Sequence, residues 1–258
     1  MGGICVSAIL LILVMCGVAQ ASPPEEARLL PEGTYMPFLS SKKQDVKVVP
    51  IAVKSFWLDV RAVTNREFLL FVKNHAVWRR SKVASVFADK SYLKHWKSDL
   101  VLKSPLDAEA PVTHVSWFAA NAYCMAKGKS LPTNDQWEFA IEDLGRNQDQ
   151  VKTQILEWYS TPNPKRFKTV TSVPKNGFGI QGLYGLVWEW TLDFNSLMAG
   201  PEARGDTTKD DNLFCGAGAL NALDASDYAK FMRYSFRSSL NASYTTANLG
   251  FRCAGEKK

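Results

Sequence analysis

The chain has 258 residues, of which 46% are hydrophobic and 22% charged, and it carries a formal charge of +6. That supply of apolar side chains builds one full core, or two small ones, and excludes global disorder. The basic residues are scattered. The densest cluster, Trp78-Arg79-Arg80-Ser81-Lys82, is short and comes without a nucleic-acid-binding motif, so the excess charge reads as a solvated surface suited to an acidic partner and not to nucleic acid.

Ile9 to Val14 is an apolar run, and Val18-Ala19-Gln20-Ala21 offers an A-x-A cleavage site, the pattern of a secretory signal. The run is too short to span a bilayer comfortably. Met1-Gly2-Gly3-Ile4 brings no side-chain charge, and Met15 is not the small residue that a lipoprotein signal places before its cysteine (here Cys16). The expectation is a signal peptide over 1–21, a leader and first turn over 22–45, and one domain over 46–258. The product is then periplasmic or secreted, with no stable membrane anchor after cleavage. Export permits disulfides. Cys5 and Cys16 leave with the signal, and Cys124, Cys215 and Cys253 remain, an odd number that leaves one thiol over.

Val46 to Ala52 and Ser55 to Val60 are β-branched and aromatic and predict two strands. Thr64-Asn65-Arg66-Glu67 fits a capping box, and Phe68, Leu69, Phe71 and Val72 follow at helical spacing. Arg79 to Trp96 reads as a short helix with irregular packing. Ser116 caps a second helix, with small residues on one face and Gly128 as its C′ glycine. Thr133-Asn134-Asp135-Gln136 is a second capping box. Val151 to Tyr159 predicts one more helix, stopped near Pro162 and Pro164. Short helices, few strands and much irregular chain do not give the βαβ alternation of a Rossmann-like protein.

The chain is organised around Asn176-Gly177-Phe178-Gly179-Ile180-Gln181-Gly182-Leu183-Tyr184-Gly185-Leu186-Val187-Trp188-Glu189-Trp190, a glycine-rich turn entering an aromatic segment with one carboxylate between two tryptophans. Ser130-Leu131-Pro132-Thr133-Asn134-Asp135-Gln136-Trp137-Glu138-Phe139-Ala140 precedes it, and Asn248-Leu249-Gly250-Phe251-Arg252-Cys253-Ala254 ends the pattern. With Val63-Thr64-Asn65 and Val115-Ser116-Trp117, this ordered set resembles the formylglycine-generating enzyme (sulfatase-modifying factor) family. The Gly-Leu-Val-Trp-Glu-Trp and Phe-Cys-Gly-Ala-Gly-Ala steps are similar to members associated with pyoverdine maturation and with copper nitrite reductase. The resemblance implies an α+β fold, formylglycine-generating-enzyme-like and related to the C-type lectin fold, with low regular secondary-structure content.

It also implies a disulfide between Cys124 and Cys253; read from the residues alone, two buried free thiols are the alternative. The family's copper(I)-binding cysteine pair lies in an interval that runs here from Gly216 to Arg252 and contains no cysteine, so copper and formylglycine generation by that route are not expected. Arg237-Ser238-Ser239 still matches the family's A-R-S step. Cys215 is the leftover thiol, either a reactive group beside a glycine-rich turn or a small buried residue. The family's calcium ligands fall on Gly182, Gly185, Val187 and Glu189. Gly182 brings no side-chain oxygen, and Asp193 is a substitute ligand; a calcium ion wants about six to eight oxygens. The alternative for Glu189 is a buried carboxylate accepting amide hydrogen bonds. The family's other calcium segment is replaced here by the Val151–Tyr159 helical region.

His75, His95 and His114 form no metal-ligand pattern. Hydrolase and P-loop motifs are absent, and Asn241-Ala242-Ser243 is an N-glycosylation sequon. The expectation is an exported maturation factor acting on a secreted peptide or protein, with an oxidative tailoring step. Trp188, Trp190, Arg237 and Ser238 would line its site and Cys215 would be its redox group. A non-catalytic lectin-like scaffold binding a peptide, glycan or protein is the second reading.

Overall fold

The computed structural model describes residues 27–37, 49–143, 148–195 and 225–257. Strands β1 (Ala27–Leu30), β4 (Phe56–Asp59) and β7 (Ala254–Glu256) form an antiparallel sheet in the order β1-β4-β7. Strands β2 (Gly33–Tyr35) and β3 (Ile51–Val53) form an antiparallel pair. Strands β5 (Trp188–Glu189) and β6 (Leu249–Gly250) run parallel, with Trp188 opposite Leu249 and Glu189 opposite Gly250. The central β4 alternates as a half-buried strand should: Phe56 and Leu58 point into the core, and Trp57 is exposed.

Five α-helices occupy the described residues: α1 (Asn65–Asn74), α2 (Trp117–Ala126), α3 (Asn134–Glu142), α4 (Gln148–Ser160) and α5 (Ala225–Ser238). Both capping boxes form. The Glu67 amide donates to Thr64 Oγ1, and Glu67 Oε2 accepts from the Thr64 amide. Gln136 and Thr133 repeat the exchange at α3. Each box satisfies two amides that a helix start leaves orphaned. Helix α2 begins at the Ser116 cap and ends in a Schellman turn: Gly128 sits at φ 68°, its amide donates to Met125 O, and the Lys129 amide donates to Cys124 O.

Several elements differ from expectation, β1 and β2 among them, which lie in the stretch expected as leader and first turn. Residues 79–96 are successive turns and not a short helix. Arginine side chains claim carbonyls there: Arg79 donates to Val72 O and Lys73 O, and Arg80 to Trp96 O. The first of the two predicted strands is β3, Ile51–Val53, with residues 46–48 outside the described residues. Helix α5 was not foreseen at all.

Two buried clusters make the core. One gathers Phe68, Tyr123, Trp190 and Phe251; the other gathers Phe56, Leu58, Trp137, Phe139 and Ile180. Phe251 meets Phe68 at 6.0 Å and Tyr123 at 5.3 Å, edge to face. A disulfide joins Cys124 of α2 to Cys253, both fully buried. Gly250 has no substitute here, since a Cβ would come 2.7 Å from the Val112 carbonyl oxygen.

Candidate functional site

The β5–β6 pairing carries the Trp-Glu-Trp segment onto the terminal Gly-Phe-Arg-Cys segment. Glu189 and Arg252 meet there, both side chains wholly removed from solvent. Arg252 Nε and Nη2 donate to the two Glu189 oxygens at 2.8 Å each, and Trp137 Nε1 donates to Glu189 Oε2 at 2.9 Å. The other guanidinium hydrogens go to the carbonyls of Gln181, Asp59 and Val60. A bidentate pair of this kind is strong and directional. It ties β4, the glycine-rich turn, α3 and β5 to one point.

The expected calcium ligands are engaged as follows. Both Glu189 oxygens accept hydrogen bonds, from Arg252 and Trp137. Val187 is fully buried. Asp193 Oδ1 accepts from the Asn134 amide at 2.7 Å, and Asn134 Nδ2 donates back to Asp193 O. Gly185 is exposed at φ 84°. Among the described residues no group of three His, Cys, Asp or Glu is arranged to hold a metal. Both described cysteines of the pattern, Cys124 and Cys253, are joined in the disulfide.

The expected binding residues separate into surface and core. Trp188 is half-buried. It stacks on Phe236 of α5 at 4.2 Å and on Tyr159 of α4 at 4.9 Å, with Trp158 at 5.3 Å. Trp190, expected beside it on a peptide-gripping surface, is fully buried. Its Nε1 donates to Val115 O, and Phe194 packs on its ring at 5.1 Å. Arg237 is also buried. It pairs with Glu138 and lies 4.6 Å over the Trp137 ring, so it braces α5 on α3 and is not free to orient a substrate carboxylate. Ser238 Oγ donates to Tyr234 O one turn back. Cys215 lies outside the described residues, as do the signal segment and Cys5 and Cys16.

Glu138 holds two arginines, Arg233 with Nη2 at 2.8 Å and Arg237. Burial works to raise its carboxyl, but the two guanidinium groups outweigh burial and hold its pKa at about 2. Lys230–Glu142 continues the ladder one turn along both helices. The sequence reading missed this ladder. Its available signal was the Lys230, Arg233, Arg237 spacing of one helical face.

Two histidines also meet. His95 and His114 stack at 5.1 Å. His95 Nε2 faces Asn65 Oδ1, which also accepts from Trp96 Nε1, and His114 Nδ1 faces Thr245 O. His114 and Leu93 both adopt positive φ, at 53° and 48°. Burial first, then His114 and Arg80, lower the His95 pKa to about 3.

A cavity of about 410 Å³ opens between α4 and the glycine-rich turn, within the size range of ligand sites.

The model of the sulfatase-modifying factor enzyme 1-like domain matches residues 17–257. The chain belongs to this family. Inactive C-alpha-formylglycine-generating enzyme 2 of Bos taurus is 28% identical over 251 residues, spanning 79% of this chain and 78% of that protein. The formylglycine-generating enzyme of Streptomyces coelicolor is 28% identical over 260 residues, spanning 82% of each. Among solved structures, PvdO from Pseudomonas aeruginosa has a TM-score of 0.45 and 14% identity, covering 90% of this chain and 94% of that one. Family membership and the mixed helix-and-sheet architecture agree with the motifs, and the Cys124–Cys253 bridge is present.

Proposed function

We propose that this family member is an exported maturation factor that engages a secreted peptide or protein, on a scaffold of the C-type-lectin-related kind, without generating formylglycine. The observation that carries this reading is the thiol inventory. No cysteine lies between Gly216 and Arg252, and Cys124 is bonded to Cys253. Cys215 is then the one thiol of the mature chain outside that bridge, and an oxidative tailoring step would run through it. The second reading, a non-catalytic scaffold, draws support from Glu189 and Arg237, whose charges are consumed in structural ion pairs.

The test combines thiol counting with a capture assay. Alkylation of the purified mature protein under non-reducing conditions should label Cys215 alone. A sulfatase-motif peptide should gain no aldehyde by mass spectrometry. Capture of exported polypeptides should weaken in Cys215→Ser if the thiol acts, and should be unchanged if the protein is a scaffold. Aldehyde formation in the peptide would refute both readings.

A further inference from the structure

We propose that the cleft between α4 and the glycine-rich turn binds an extended peptide segment carrying one basic and one acidic side chain on either side of an apolar or aromatic residue. This deepens the peptide-engaging reading above and rests on it.

One wall is a face of α4 and the residue just past its end: Gln154, Glu157 and Trp158 line the cavity at i, i+3 and i+4, with Thr161 following. A helix face turned toward another part of its own protein is ordinarily apolar, because it packs there. This face is polar around one indole. The apolar side of α4 points elsewhere, with Ile155 in the core, so the polar face stands off from the turn. The opposite wall holds Val173, Pro174 and Leu183. Gly182 keeps that wall thin and fixed: at φ 68°, a Cβ there would lie 2.8 Å from Leu186 Cδ1.

Charge complementarity points to the ligand class. Glu157 and Lys168 both border the cavity and both are exposed. Among the described residues neither side chain forms an ion pair or hydrogen bond, with the other or with any neighbour. A neutral sugar would leave both charges to water and gain nothing from them. A peptide with a basic side chain toward Glu157 and an acidic one toward Lys168 satisfies both, and its central residue lies against Trp158. That indole is held in place by Tyr159 at 5.4 Å and Trp188 at 5.3 Å, so little ordering entropy is lost on binding.

The test uses the full mature protein and three probes: a capped pentapeptide Lys-Ala-Phe-Ala-Glu, its Gln-Ala-Phe-Ala-Gln counterpart, and maltotriose, each followed by calorimetry at low salt. The charged peptide should bind more tightly than the uncharged one. Glu157→Lys and Lys168→Glu should each weaken it roughly 3- to 10-fold, the range of an exposed ion pair replaced by a repulsion. The double reversal should prefer Glu-Ala-Phe-Ala-Lys. Both substitutions are at exposed positions, so the melting temperature should stay constant. Equal binding of charged and uncharged peptides, maltotriose binding insensitive to either reversal, or no binding of any probe at millimolar concentration would each overturn the proposal. If exported polypeptides are captured and the reversals do not affect capture, the cleft is refuted and the maturation reading stands. If the peptide binds as expected and no exported polypeptide is captured, the maturation reading fails and the cleft stands.

Discussion

Replacing Glu138 by Gln removes the one carboxylate shared by Arg233 and Arg237 while keeping its shape. Two guanidinium groups, each about 95% buried, are then left facing a neutral amide. Breaking a buried pair from one side costs roughly 3–5 kcal/mol. The carboxyl itself provides a second figure. Its pKa falls from 4.5 to about 2 on folding, which at about 1.4 kcal/mol per unit corresponds to about 3 kcal/mol. The two figures agree, and for a chain of this size about 3 kcal/mol shifts Tm by roughly 6–12 °C. The folded-state pKa lies below the unfolded value, so the contribution is complete above about pH 4.5 and is lost as pH falls toward 2. Urea unfolding followed by tryptophan fluorescence, at pH 7 and at pH 3, reads both effects. Glu138→Gln should be less stable at pH 7 and should lack part of the wild-type decline between pH 4.5 and 3. A variant within about 0.5 kcal/mol of wild type at pH 7, with an unchanged acid limb, would refute the claim that this ladder holds α5 to α3.

Arg252→Gln should cost roughly 3–5 kcal/mol in chemical unfolding, because Glu189 is left buried without its counter-charge and three carbonyls lose a donor; a loss below about 1 kcal/mol would show that the hub is not structural. Replacing Cys124 and Cys253 together by Ala opens a loop of 129 residues and should destabilise by roughly 4–5 kcal/mol in the chain-entropy model, read as a fall in urea midpoint that reductant reproduces in the wild type alone. The His95 pKa is lowered on folding, so the stability it contributes is complete above about pH 6.5 and is lost as pH falls toward 3. His95→Phe should therefore flatten the dependence of Tm on pH between 6.5 and 4, and an unaltered slope would count against the stacked pair as its cause. Gly182→Ala should lower Tm through the clash with Leu186 and the positive φ, whereas Gly185→Ala, with open space around its Cβ position, should lower it less.

What the sequence determined by itself was local or compositional. The capping boxes at Thr64 and Thr133, the Ser116 cap and the Gly128 stop each depend on residues three or four positions apart, and they form as the spacing implies. The absence of a cysteine pair after Gly216 is a matter of counting. The tertiary structure alone decided which charges meet. Glu189 and Arg252 are 63 residues apart, and Glu138 and Arg233 are 95 apart, and no periodicity encodes such a pairing. For the same reason Trp188 and Trp190, two positions apart and alike in sequence, part company. Val115 and Phe194 close over one, while α4 and α5 bring only rings to the other and leave it at the surface. Burial of a charge is stabilising only when its partner arrives with it, and that arrival is a property of the packed fold and not of either segment alone.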